Sequence, residues 1–273
     1  MKYTLQSSKY VFKNFIYLFP FAILPAIFLA VSTDEGAIIN IIKALLAGNI
    51  SSWSFTMLFK AISLLSFASW QSIVFGLVGI LLIVPCVALL MALLEKHMRI
   101  GKRTFNGLWG KLNDNFVSTC GVVLIVVALY ELWALLLAAF LFLLSRISLT
   151  VVACVLSALT FVTFHVILMV SVGAIYLWLP CMQITGFRAF EALQYAYQLM
   201  NRIRWKIMLA QICVFMAVES LVCVCAFFVA SLVVFKIIVA VLYAGVLMIY
   251  CVRMQIAYFD RDNIERADMA RYY

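Results

Sequence analysis

Three titratable residues lie deep inside long apolar runs of this 273-residue chain: Glu131, Glu219 and His165. An ionisable side chain at such depth is costly unless it faces a polar interior or a partner, and it marks a proton or ion path by default. Each glutamate falls roughly 12–14 residues into its run, about 18–21 Å from the start, which is near or past the middle of a bilayer. A carboxylate withdrawn from water favours its protonated form, which suits a proton relay or a cation site. The competing reading is structural: a protonated glutamate hydrogen-bonded between helices, or one that reaches a polar vestibule. His165 stands near Thr160 and Thr163 and can share a proton with one of the glutamates, or act as a neutral packing imidazole.

Little other chemistry is written in the chain. His97 is the only other histidine, so no His-rich metal site is available. Cys86, Cys120, Cys154, Cys181, Cys213, Cys223, Cys225 and Cys251 all fall in or beside apolar runs and read as small packing residues, not as a disulfide framework. Cys223 and Cys225 would point about 200° apart around a helix, not toward one metal. No phosphate-binding glycine loop, His-Glu-x-x-His, Gly-x-Ser-x-Gly or Cys-x-x-Cys occurs, and no nucleophile can be paired with His165. The chain is therefore expected to be neither an enzyme nor the holder of a metal or cofactor.

The elements that must position these residues are membrane spans. Apolar residues make up 67% of the chain and charged residues 11%, against about 45–50% and 25% in soluble domains. A span needs about 20 mostly apolar residues. Runs at about 15–31, 71–94, 117–144 and 149–179 meet that need. From 207 to 252 only Glu219 and Lys236 carry charge over 46 residues. One straight helix of that length would reach about 69 Å, so it must fold back, giving spans at 207–230 and 236–257. The sequence predicts an all-α polytopic bundle of six spans over 1–258, with a mixed-charge tail at 259–273 in which Asp262 and Arg266 can form a helical ion pair. Met1–Lys13 is amphipathic and basic, the next run contains Pro20 and Pro25, and no cleavage signal follows, so this stretch is not read as a removable signal.

Segment 53–70 is apolar enough to resemble a seventh span, but Lys60 would sit at its centre, and Ser54, Ser63, Ser66 and Ser69, with Ser51 and Ser52 just before it, dilute it. A central lysine costs about 2.5–3.5 kcal/mol on insertion, so an interfacial or re-entrant helix is expected. Charge sets the orientation. With six spans, one side holds Lys2, Lys9, Lys13, Lys96, Arg99, Lys102, Arg103, Lys111, Arg188, Arg202, Arg204, Lys206, Arg253, Arg261, Arg266 and Arg271, sixteen in all. The other holds Lys43, Lys60, Arg146 and Lys236. That bias places both termini in the cytosol of a multi-pass cell-membrane protein. It also assigns the net charge of +9 to anionic lipid headgroups and not to nucleic acid.

Amphipathic stretches precede the odd spans. Lys2, Gln6, Lys9 and Lys13 follow helical spacing, as do Phe105, Leu108, Trp109, Leu112 and Phe116 within 103–116, and Arg188, Glu191, Gln198 and Arg202 in the third unit. Such helices suit the headgroup plane, which makes Lys102, Arg103, Arg188, Arg202 and Arg204 candidates for contact with lipid headgroups or with a cytosolic protein partner. The chain thus reads as three copies of surface helix, span, external turn, span. Arg103-Thr-Phe-Asn-Gly-Leu108 aligns with Arg188-Ala-Phe-Glu-Ala-Leu193, Asn113 with Asn201, and Glu131 with Glu219, while Pro85 and Pro180 fall near the cytosolic ends of spans two and four.

These Arg-x-Phe-x-x-Leu entry helices and six spans resemble a broad group of bacterial six-span membrane proteins of unknown function. The group includes the YciC-like proteins and the membrane domain fused ahead of some glycerophosphodiester phosphodiesterases. The resemblance implies a fold and brings no catalytic residues; the phosphodiesterase domain itself has no counterpart in this sequence.

Two functions follow as expectations. One is a transport or lipid-handling protein whose buried carboxylates line a polar path, with Pro20, Pro25 and Pro85 breaking helices near a site. The alternative is a non-catalytic scaffold or partner subunit of a larger complex, which would be sensitive to charge reversal at Lys102, Arg103, Arg202 and Arg204.

Overall fold

A computed structural model describes residues 2–201 and 203–268, and every regular element in it is helical. Six helices are long and apolar enough to cross a membrane: α2 (Phe15–Ser32), α5 (Trp70–Ile100), α6 (Leu108–Leu144), α7 (Thr150–Ala174), α10 (Arg204–Phe228) and α11 (Leu232–Arg261). The shorter helices are α1 (Lys2–Lys13), α3 (Glu35–Leu46), α4 (Phe55–Ile62), α8 (Trp178–Thr185) and α9 (Ala189–Met200).

The six long helices close into a ring in chain order, each packing on the next and α11 returning to α2. Outward-facing Leu24, Leu81, Leu124, Leu159, Leu209 and Val241 remain exposed, as expected of side chains that meet lipid. α1 lies along α11, and α8 and α9 pack together. They share one end with the start of α6, here called the basic end; the opposite end is the far end. At the basic end one apolar cluster joins Tyr10, Leu90, Met98, Met200, Val252 and Phe259.

Several sequence expectations change. The predicted surface helix at 103–116 is not separate: from Leu108 it runs without a break into the span as one 37-residue helix. Glu95 on α5 holds Lys111 at 3.6 Å and Arg99 at 3.3 Å, which sets the first turns of α6 upright against α5. Span four does break. α7 stops at Ala174 and α8 starts at Trp178, because Pro180 lacks an N–H and its ring would meet the Tyr176 carbonyl of a continuous helix. In the first turn of α8 that missing donor costs nothing. Pro20, Pro25 and Pro85, by contrast, sit inside unbroken α2 and α5. Each removes one backbone hydrogen bond, and the neighbouring turns keep the helix whole.

The tail also differs. α11 continues to Arg261, and Arg266 pairs with Asp268 at 2.8 Å instead of Asp262. Ala267 donates its N–H to the Met98 carbonyl at 2.8 Å, so the described part of the tail packs on the end of α5.

The first far-end connection is the largest departure from the expected threefold repeat. The second and third connections each span a few residues, whereas residues 33–69 form an insertion of α3, a short 3-10 turn (Ile50–Ser52) and α4. α3 begins where Asp34 accepts the Ala37 N–H at 3.0 Å, an N-cap with Glu35 in the first turn. α4 has eight residues and reaches about 12 Å, too short to cross. The insertion docks in two halves. Ile38 joins Ala30, Val222, Phe235 and Val239 on one side, while Ile50, Trp53 and Leu58 join Trp133, Leu137, Leu141 and Leu168 on the other. It therefore bridges the ring at its far end. Two of the four basic residues there fasten it: Arg146 reaches the Ser51 and Trp53 carbonyls at 3.4 Å, and Lys236 reaches the Thr33 carbonyl.

Candidate functional site

His165 and Glu219 meet across α7 and α10, with Nε2 of the imidazole 2.8 Å from Oε2 of the carboxylate. The Nδ1 of His165 lies 2.8 Å from the Phe161 carbonyl, one turn earlier in α7. A carbonyl oxygen can only accept, so Nδ1 carries a hydrogen. Nε2 then either donates to an ionised Glu219 or accepts from a protonated one, and in both cases one proton lies between the two groups. Without it, an imidazole lone pair would face a carboxylate, and the contact would repel. The pair is thus a one-proton holder with no net charge when loaded.

Its surroundings are aromatic. The ring centroids of Phe161, Trp133 and Phe215 lie 4.2, 5.0 and 5.6 Å from that of His165. The imidazole is thus enclosed by three aromatic rings from α6, α7 and α10. Trp133 is itself fixed by donating Nε1–H to the Phe164 carbonyl at 2.7 Å. His165 is 1% exposed while the Glu219 side chain is 30% exposed, so the carboxylate is the less enclosed member of the pair.

Glu131 does not join this pair. One of its oxygens accepts the Ser63 hydroxyl at 2.8 Å and the other the Leu64 N–H at 3.0 Å. Its neighbour Tyr130 donates to the Ile62 carbonyl at 2.9 Å. Two consecutive residues of α6 therefore grip the end of α4 and the segment after it. Ser32 of α2 completes the grip by donating to the Leu64 carbonyl at 2.9 Å. The gripped segment turns sharply, with Ser66 and Phe67 at φ of 56° and 44°, a backbone region that non-glycine residues occupy only when their surroundings enforce it.

The two arrangements are adjacent. Tyr130 packs on Trp133 and Phe215, and Trp133 packs on His165. Residues 130–133 of α6 thus touch both the far-end insertion and the proton-holding pair. Sequence reading identified the three titratable residues but not Ser63, Tyr130, Trp133 or Phe215. The spacing of Tyr130, Glu131 and Trp133 with Phe215 and Glu219 was a usable signal, since i, i+4 places Phe215 and Glu219 on one face.

The basic candidates are spread out. Arg103 lies over the Tyr17 ring at 5.3 Å, and Arg204 over the Tyr197 ring at 5.5 Å. Lys102 is exposed, as is Arg188, whose N–H donates to Glu191 at 3.3 Å at the start of α9. Arg202 lies outside the described residues. Comparison with protein-family models, with characterised proteins and with solved structures finds no match for this chain.

Proposed function

We propose that this protein is a proton-dependent transport or lipid-handling protein of the membrane, in which the His165–Glu219 pair is the proton switch and the far-end insertion is the gate. The observation that carries the reading is the double engagement of His165, Nδ1 to the Phe161 carbonyl and Nε2 to Glu219, which leaves one proton between two titratable groups in an apolar bundle. A buried ion pair is weak evidence for stability alone, because apolar residues of similar volume would serve a scaffold at least as well. Loss of the proton leaves a net negative charge beside Phe215 and Tyr130, the latter bonded to the end of α4. Changing the charge of the pair therefore acts directly on the elements that hold the insertion. The same reading assigns the basic end to the cytosol, on the sixteen-to-four distribution of basic residues.

The test uses purified protein in liposomes that enclose a pH-reporting dye. An imposed pH difference should drive proton movement in the wild type, and Glu219→Gln and His165→Gln should slow it by about tenfold or more. Equal rates in all three proteins, or no movement in the wild type, would overturn the reading.

A further inference from the structure

Among the described residues, the basic end contains a buried cation with no paired anion. Arg253 on α11 is 2% exposed, and among the described residues no carboxylate pairs with it. Its Nε donates to the Tyr176 hydroxyl at 3.0 Å, and its guanidinium lies 5.8 Å from the Tyr176 ring centroid. Its Nη1 is buried without any hydrogen-bond partner. An isolated buried guanidinium cannot shed its charge, and an unpaired charge withdrawn from water is strongly unfavourable. Something must compensate it.

Arg253 lines a cavity of about 340 Å³ between α1, α10 and α11, within the size range of small-ligand pockets, about 300–1,000 Å³. Lys206 and Lys2 line the same space, and so does Thr4, whose buried hydroxyl also lacks a partner. Among the described residues, Asp260 lies 3.5 Å from Lys2 and accepts the Tyr3 hydroxyl, while no carboxylate pairs with Lys206 or Arg253. α10 begins at this cavity with no side-chain cap and no acidic residue in its first turn, so its N-terminal dipole adds to the positive field. The remaining wall is apolar, from Ile203 and Ile207. One turn deeper on that face of α10, Gln211 is buried with both amide atoms unpartnered.

We infer that this cavity is a binding site for a phosphate-bearing anion, held by Arg253 and Lys206 with Lys2 and Thr4 at its edge. A planar guanidinium can bind two phosphate oxygens at once, Lys206 supplies a point charge, and the Thr4 hydroxyl a further donor. The apolar wall accommodates the non-ionic part of the ligand. The site lies at the opposite end of the bundle from the far-end insertion and does not depend on proton movement through His165 and Glu219. The phosphate could belong to a membrane phospholipid headgroup or to a soluble phosphate.

The test is thermal unfolding of the full chain in an uncharged detergent. One arm adds phosphatidylglycerol in mixed micelles, another adds sodium phosphate, and a control adds sodium chloride at matched ionic strength. The wild-type midpoint should rise saturably in at least one phosphate arm and not with chloride. A rise with lipid alone assigns a headgroup; a rise in both arms assigns the phosphate group itself. Arg253→Met and the surface variant Lys206→Gln should each need about tenfold or more ligand for the same rise, the loss of one charge-assisted hydrogen bond. Lys9→Gln, an exposed charge on α1 away from the cavity, should respond like the wild type. No rise beyond that with chloride, or an unchanged response in Lys206→Gln, would overturn the assignment.

Discussion

Glu131 accepts the backbone N–H of Leu64 at 3.0 Å, so a carboxylate near the middle of α6 closes the turn that follows α4. The same carboxylate holds Ser63, and its residue neighbour Tyr130 holds Ile62. Charge in this part of the bundle is used to fold an irregular backbone segment back against the helices. That use separates Glu131 from Glu219, although the two align in sequence in the register that lays Asn113 over Asn201.

The separation predicts different variants. Glu131→Gln keeps one amide oxygen for the Leu64 N–H and should retain proton-dependent activity, losing about 1 kcal/mol of stability. Glu131→Ala leaves both the Ser63 hydroxyl and the Leu64 N–H without their partner, at about 1–3 kcal/mol each if they stay buried. Amide hydrogen exchange of residues 63–69 should rise in Glu131→Ala and stay near the wild type in Glu131→Gln. Equal exchange in both variants would show that the carboxylate does not hold this segment.

Glu219→Gln should behave in the reverse manner. The amide N–H can still donate to Nε2 of a neutral His165, so the contact between α7 and α10 survives, but no proton can leave the pair. Proton-dependent activity should fall while the thermal midpoint moves by only a few degrees, the shift expected for a change of about 1 kcal/mol in a protein of this size. A large drop in the midpoint with full activity would place the pair in the folding of the bundle instead.

What could be read from sequence divides along physical lines. The six spans and their order were legible because a bilayer imposes length and polarity on every segment that crosses it. The short, non-spanning character of 53–70 was legible for the same reason, through Lys60. α3 was missed, although Asp34, Glu35 and the apolar run from Ile38 form a recognisable helix start. The partners of the charges were not legible, because they depend on which helices become neighbours. His165 could have joined either glutamate; the ring order α6, α7, α10 brings it to Glu219, while α4 claims Glu131. Arg253 counted only as one more basic residue near the end of a span, since nothing local shows that α11 is buried there on all sides.

Close backbone approach predicts a contrast among glycines. A Cβ on Gly76 would lie 3.2 Å from the Leu64 carbonyl oxygen and from Leu65 Cα, and one on Gly79 would lie 3.0 Å from Leu29 side-chain carbons. Two of these Gly76 neighbours are backbone atoms in the turn that Glu131 closes, and the nearest, the Ser32 hydroxyl at 3.0 Å, is tied to the Leu64 carbonyl, so they have little room to move. Gly76→Ala should therefore cost about 1–3 kcal/mol. Gly121→Ala, with nothing within 4 Å of its Cβ, should be neutral or gain up to about 1 kcal/mol in helix propensity. Thermal midpoints of the two variants in one detergent decide the matter; equal shifts would refute the close contact.

The basic end should loosen in alkali. Asp262 accepts a hydrogen bond from the Tyr195 phenol of α9 and pushes its pKa up to about 12, while burial, followed by the bond to Asp260, pushes that of Tyr3 in α1 up to about 12. Both shifts raise the folded-state value above the ordinary 10, so the neutral phenols favour the docked helices fully below pH 10. That contribution is lost as pH climbs from 10 toward 12, because the undocked phenols ionise first. Hydrogen exchange in α1 and α9 should accelerate over this interval more than exchange in α5. Tyr3→Phe and Tyr195→Phe should remove the extra acceleration in α1 and α9 respectively. Parallel acceleration in all three helices, unchanged in the variants, would mean that these phenols do not hold the surface helices to the end of α11.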